Sequence, residues 1–263
     1  MIHRLKKDKK KIMQQPINDF NKEKFHIYLN NLNLIKLEIL NKPPKDGFYL
    51  YYQEKKLILK HVNLNLTLSI DFKSTDMKNR IRLSTAKTDL IKAIEGKNKK
   101  ILNILDMTVG FGQDSFSLAA RGHVISAIEN NPYVFLLLHN GLKRAEKEEC
   151  LSIIAKKITL YFANSLTYNI ILGSKKYDVI YLDPMFPKRD KSAKVKKNMQ
   201  LLHELIGIDE VSPPLLFQQA KLLKPKKIVV KRPRLGKLIS DDKPSSQIIS
   251  KSSRFDIYAL TVI

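Results

Sequence analysis

Two apolar runs decide what this chain can fold into, because each stops at a loop that neither a strand nor a helix carries on. Ile101 to Leu105 runs into Asp106-Met107-Thr108-Val109-Gly110-Phe111-Gly112-Gln113-Asp114. Tyr177 to Leu182 runs into Asp183-Pro184-Met185-Phe186-Pro187. Short apolar runs closed by glycine or proline read as buried strands. Strands and helices alternate around them. Strands are expected at 101–105, 123–128, 158–162, 177–182, 227–230 and 255–262, and helices at 88–94, 115–121, 132–149 and 214–223. That alternation predicts an α/β chain with a Rossmann-like, doubly wound, mainly parallel sheet. Ligands of such sheets lie outside the carboxyl ends of the strands, where both loops fall.

The preceding region has a different period. Phe48-Tyr49-Leu50-Tyr51-Tyr52, a polar turn and Leu57-Ile58-Leu59 make a hairpin pattern. Leu64, Leu66, Leu68 and Ile70 alternate with polar residues, as in a half-buried strand. A small β-rich N-terminal domain with a basic arm is expected over 1–84, and a Rossmann-like domain over 85–263. Residues 1–24 suit either a disordered basic arm or a short amphipathic helix.

The chain carries 48 Lys and Arg against 25 Asp and Glu, a formal net charge of +23. Such a balance favours a polyanionic partner, since neutralised phosphates release counterions. A composition rich in Lys, Asn and Ile from an AT-rich genome would produce the same excess. The single cysteine, Cys150, excludes an internal disulfide framework and reads as a structural thiol. The six histidines lack metal-ligand spacing, so no metal is expected. No apolar run of membrane-spanning length occurs, and a soluble cytoplasmic protein is expected.

The first loop has the residues to hold a nucleoside cofactor. Gly110 and Gly112 allow a tight turn and close approach of a ligand. The pattern lacks the third glycine of a dinucleotide loop, Ser115 standing in its place. Asp106 and Asp114 line it instead, which suits a cofactor bearing a cationic sulfonium and an amino acid. The competing reading is a plain strand–helix turn with Asp114 favoured by the helix dipole. Glu129, ending the next strand, can accept both ribose hydroxyls, or it is a solvated loop acid. Asn164 and Ser165 follow a third strand, where they read an adenine edge or cap the next element.

Asp183-Pro184-Met185-Phe186 resembles the Asp/Asn-Pro-Pro-aromatic loop of amino-group methyltransferases. A carboxylate and a carbonyl can hold both hydrogens of an exocyclic amine, Pro184 stiffens the loop, and Phe186 can stack on a flipped base. Asp183, Pro184 and Phe186 are therefore the catalytic candidates, set against a simple turn with a capping aspartate. Lys188, Arg189, Lys191, Lys194, Lys196 and Lys197 follow, and Lys231, Arg232 and Arg234 form a later basic cluster. Both flank the expected substrate mouth and are candidate RNA phosphate contacts.

Taken together, these motifs resemble the bacterial small-subunit ribosomal RNA guanine-N2 methyltransferase J family over about residues 85–260. Asp106 to Asp114, Glu129-Asn130-Asn131-Pro132 and Tyr181 to Pro187 carry the resemblance. Lys191-Ser192-Ala193, Val195-Lys196-Lys197, Val229 to Pro233 and Arg254 to Tyr258 complete it. Met185, unusual in the wider amine class, is this family's own form. The resemblance implies a class I methyltransferase sheet that uses S-adenosylmethionine (SAM), with 16S rRNA or the small ribosomal subunit as partner. It implies cofactor contacts at Gln113 and Asp114, Glu129 and Asn130, Asn164 and Ser165, and Asp183. The family carries arginine where Gln113 and Asn130 stand. DNA adenine or protein glutamine would suit the same amine-holding loop. A noncatalytic RNA-binding or assembly protein is a third reading, which the retained Asp183 and Glu129 oppose.

Overall fold

A computed structural model of the chain describes residues 10–13, 37–40, 43–97, 100–167, 175–184 and 212–260, the side chains of 10–13, 37–40 and 83–85 excepted. The described residues divide into two compact units, those up to Ile70 and those from Asp71 onward. The helix Thr75–Thr85 (α1) thereby belongs to the larger unit.

The smaller unit is a five-stranded sheet of β1 (Lys10–Met13), β2 (Leu37–Leu40), β3 (Phe48–Gln53), β4 (Lys56–His61) and β5 (Leu66–Leu68), ordered β2-β1-β3-β4-β5. β3 and β4 form the expected antiparallel hairpin. Its tight turn places both Glu54 and Lys55 at positive φ, the backbone that a two-residue hairpin loop demands. Leu50, Leu57, Leu59 and Leu68 are buried. Residues 10–13 are neither arm nor helix: they form β1, parallel to both β2 and β3. Pairing with distant strands, not local charge, decides their conformation.

The larger unit is built on a seven-stranded sheet. Its strands are β6 (Asn103–Asp106), β7 (Val124–Glu129), β8 (Ile158–Phe162), β9 (Val179–Leu182), β10 (Lys227–Pro233), β11 (Ser246–Ile249) and β12 (Ser253–Ala259). They run in the order β11-β12-β10-β9-β6-β7-β8. The five strands from β10 to β8 are parallel, and β12 and β11 add an antiparallel edge. The chain moves outward from β6 through β7 to β8, then returns to place β9 on the other side of β6. The reversal point therefore lies between β6 and β9, with Asp106 paired to Tyr181. A crevice forms there because successive crossovers leave toward opposite sides.

Parallel strands are covered on both faces, which explains the unbroken apolar run of β9, all of whose residues are buried. Ile180 and Leu182 pack with Leu105, Ile228, Val230 and the Leu216 and Phe217 side chains of α6 (Pro213–Leu222). On α3 (Gln113–Ala120), Phe116 stacks on Phe72 at 4.0 Å between centroids. α2 (Asp89–Glu95) begins at a Thr88 cap and stops at Gly96. α4 (Pro132–Ala145) has Pro132 in its first turn and Asn131 accepting from the Tyr133 and Val134 amides.

The helix expected over 132–149 is two helices. α4 ends at Ala145 and α5 (Glu149–Ala155) follows a break at Glu148, which is extended. Apolar periodicity lapses between Ala145 and Leu151, so the intervening acidic segment has no face to bury. β11 and α1 escape the sequence patterns for a related reason. The β11 residues are largely exposed, and Met77 is the buried residue among the described side chains of α1.

Candidate functional site at the carboxyl edge of the sheet

Five neighbouring strands deliver polar side chains to one edge of the sheet. Asp106 ends β6, Glu129 ends β7, Asn164 and Ser165 follow β8, Asp183 follows β9, and Lys231 lies beyond Val230 on β10. Parallel pairing alone brings them together, because it aligns all five carboxyl ends.

The loop after β6 is suspended from both neighbours. Met107 donates its amide to the Tyr181 carbonyl and Val109 to the Ile128 carbonyl. The Gly110 amide donates to Glu129 Oε2 at 3.2 Å. Asp106 is 1 % exposed; its oxygens accept from the Thr108 amide at 3.0 Å and the Ser115 hydroxyl at 2.6 Å. Burial pushes its carboxyl up to about 7 against those hydrogen bonds. Asp106 thus braces the loop from beneath.

Gly110 and Gly112 have φ of +53° and +72°. At Gly112 a Cβ would lie 2.6 Å from Cδ1 of Leu138, which is itself buried on α4. Gly112→Ala is expected to cost about 1–3 kcal/mol of stability, from overpacking and left-handed strain together. Denaturant unfolding measures this, and an unchanged midpoint and slope would refute it.

Glu129 is 7 % exposed, and its Oε1 accepts from the Asn131 amide at 2.7 Å. Each oxygen thus already holds one backbone donor. Ser165 donates its hydroxyl to the Met107 carbonyl at 2.5 Å, and Asn164 Oδ1 accepts from the Leu166 amide at 2.8 Å. Gln113 and Asn130 are exposed beside them.

At the other end of the site, the Asp183 amide donates to Thr108 Oγ1 at 2.7 Å, tying the second loop to the first. Lys231 Nζ donates to Asp183 Oδ2 at 2.9 Å and to Asp114 Oδ2 at 2.7 Å. Asp114 also accepts from the Tyr181 hydroxyl at 2.8 Å and from Arg80 of α1 at 3.1 Å. Burial opposes ionisation of Asp114, but Lys231, Tyr181 and Arg80 outweigh it and hold its carboxyl low. Burial pushes the Asp183 carboxyl up; Lys231 pulls against this, and Asp114 adds to it. Burial disfavours the Lys231 ammonium, yet Asp114 and Asp183 together raise its pKa. Burial, then Asp114, raises Tyr181, which remains a neutral donor.

The structure therefore gathers Asp106, Gly110, Gly112, Asp114, Glu129, Ser165 and Asp183, with buried Pro184 next to Asp183. Of the basic candidates, Lys231 turns inward to the two carboxylates. Arg232 is 7 % exposed and donates Nε to the Lys237 carbonyl, so its guanidinium braces a turn. Arg234 is exposed. Phe186, Lys188, Arg189, Lys191, Lys194, Lys196 and Lys197 lie outside the described residues. Thr108, Tyr181 and Arg80 join the site without having been singled out as site residues. Tyr181 carried a signal: it lies two residues before Asp183, on the same face of an extended chain. Among the described residues no His, Cys, Asp and Glu group is placed to hold a metal ion, and no helix is long and apolar enough to cross a membrane.

Comparison with known proteins adds to this geometry. The SAM-dependent methyltransferase family model matches residues 33–260. A ribosomal RNA small subunit methyltransferase J of Francisella tularensis subsp. novicida is 46 % identical over 217 residues, covering 82 % of this chain and 89 % of the relative. A protein of the same name from Francisella philomiragia is 42 % identical over 234 residues, covering 89 % and 96 %. The crystal structure of a SAM-dependent methyltransferase from Neisseria gonorrhoeae is similar with a TM-score of 0.73 at 26 % identity, over 95 % of each chain.

Proposed function

This chain belongs to the SAM-dependent methyltransferase family, alongside the ribosomal RNA small subunit methyltransferases J, and on that premise we propose that it methylates the exocyclic N2 of a guanine in 16S rRNA. The enzyme is an rRNA methyltransferase that uses SAM, on a class I fold. The choice of guanine N2 and the residue roles below are our reading of the site. The observation that carries it is Asp183: a carboxylate at the strand-order reversal, with its backbone tied through Thr108 to the glycine loop.

The residues present fit the cofactor. Glu129 ends β7 as a buried carboxylate whose two oxygens are aimed by the Gly110 and Asn131 amides, the place and chemistry to accept ribose hydroxyls. The Asn164 amide nitrogen remains a donor and Ser165 Oγ an acceptor, the pair an adenine edge requires. Gly110 and Gly112 keep side chains out of the turn, with Asp114, Gln113 and Asn130 at its margin. Bound there, SAM supplies an electrophilic methyl on a sulfonium.

The chain's own work is positioning. An exocyclic amine is a weak nucleophile because its lone pair is delocalised into the ring. Asp183 accepts an amine hydrogen at Oδ1, the oxygen that Lys231 does not hold, and turns the lone pair toward the methyl donor. The proton lost from nitrogen passes to that same oxygen. Pro184 restricts the loop, and Phe186 is assigned on its sequence to stacking on the base. Orientation of this kind is worth several kcal/mol of barrier.

Purified enzyme, methyl-labelled SAM and 16S rRNA should give N2-methylguanosine at one position by nucleoside mass mapping. Label found in DNA or protein instead, or none in rRNA, would reject the reading. The lysines after the Asp183 loop are assigned to phosphates on their sequence. Lys196→Glu should weaken RNA binding and flatten the log–log salt dependence by about one unit; an unchanged slope removes Lys196 from the phosphate path. A ribosomal RNA substrate supports a cytoplasmic location.

A further inference from the structure

Lys231 stands in a basic cluster by sequence, yet its ammonium lies between two carboxylates. Its side chain is 28 % exposed, and two of its hydrogens are committed, to Asp114 at 2.7 Å and Asp183 at 2.9 Å. We infer that Lys231 is a positioning residue for methyl transfer, an internal counter-ion that holds Asp183 as an aimed carboxylate, and is not a phosphate contact for RNA. The role rests on the assignment of Asp183 made under the proposed function.

Three features carry the inference. Val230 pairs with Leu182, so the next residues of β10 and β9, Lys231 and Asp183, are brought side by side by backbone register. A flexible lysine is thereby delivered at a fixed height. The anchor behind it is also fixed: Asp114 is held by the Tyr181 hydroxyl and by Arg80 as well as by Lys231. A chain of charge-assisted bonds thus runs from α1 through α3 and β10 to the Asp183 oxygen, leaving the other oxygen for substrate. Finally, two carboxylates share one ammonium. With Arg80 also on Asp114, the cluster has no net charge to spare, and so offers a phosphate little attraction.

The carboxylates are not equivalent if the ammonium is removed. Neighbouring carboxylates cannot both stay ionised cheaply in a crowded site, and one takes up a proton. Asp114 keeps Tyr181 and Arg80. Asp183 faces Asp114 from α3, Asp106 from β6, Tyr181 from β9 and Arg232 from β10. Among these described groups Arg232 is the nearby cation, and its Nε is already committed to the Lys237 carbonyl. Asp183 is therefore the group that takes the proton, and a protonated Asp183 cannot accept one from the amine. Its competent form is the carboxylate, so loss of the cation shifts the acidic limb of the rate upward in pH.

The test is the single-turnover rate of methyl transfer to 16S rRNA against pH, with SAM and RNA affinities measured beside it. Lys231→Met and Lys231→Gln are expected to move the acidic limb up by about one pH unit or more. Their rates should fall about tenfold on the acidic limb itself and recover as the pH rises. Lys231→Arg should keep the limb in place. The salt dependence of RNA binding should be unchanged in every variant. The glutamine variant covers the case in which methionine prevents folding, because it keeps a polar hydrogen-bond donor on the same side of the strand without the charge. An unmoved limb in the neutral variants overturns the role, and a salt slope flattened by about one unit would make Lys231 a phosphate contact instead. A wild-type enzyme that binds SAM but leaves 16S rRNA unmethylated overturns the proposed function, a result read before any variant is made.

Discussion

Asp183→Ala is expected to lower the single-turnover rate of methyl transfer by about 10³-fold, within the range for loss of a positioned proton acceptor. That corresponds to about 4 kcal/mol of transition-state stabilisation. SAM affinity should change by less than about tenfold, because the other proposed cofactor contacts belong to the loops after β6, β7 and β8. The substitution removes one carboxylate from Lys231 but leaves Asp114 to neutralise it, so the site is not left with an isolated cation. The Asp183 amide still reaches Thr108, which keeps the loop in place. Asp183→Asn retains shape and one acceptor but not the charge, and should recover little of the rate. Rapid-quench measurement with labelled SAM decides the matter. A rate for Asp183→Ala within about fivefold of wild type would remove Asp183 from the chemistry.

Glu129→Ala should raise the dissociation constant for SAM by about 10²-fold, roughly two charge-assisted hydrogen bonds. Two effects combine. The ribose hydroxyls lose their acceptors, and the amides of Gly110 and Asn131 lose theirs, so the loop and the start of α4 loosen. Glu129→Gln separates the two: its single oxygen restores one acceptor and its amide clashes with the other donor, so an intermediate loss of about tenfold is expected. Isothermal titration calorimetry with SAM measures both. An affinity for Glu129→Ala within about threefold of wild type would mean that the ribose lies elsewhere.

Much of this site was readable before any fold. Asp106, Glu129 and Asp183 each close an apolar run, with Gly110 and Gly112 in the loop after the first, and apolar runs in this alternation become parallel strands whose carboxyl ends align. Roles within the site were less legible. Asp106 carries the same side chain as Asp183, but 1 % exposure and two internal donors turn it into a brace for the loop. Arg232 and Lys231 are adjacent, and strand alternation sends one to the Lys237 carbonyl and the other to the carboxylates. Secondary structure failed where local pattern was weak: at the break between α4 and α5, at the exposed β11, and at the polar α1.

The sequence by itself determined most of the strand and helix alternation of the larger unit and the position of the two loops, because these depend on periodicity and on the backbone freedom of glycine and proline. Tertiary structure alone decided which charges meet. Lys231 lies 117 residues from Asp114 and 48 from Asp183, and no local rule relates them. Sheet register and the packing of α3 set those distances, and at 2.7–2.9 Å in a partly desolvated site they make an apparent surface cation an internal counter-ion.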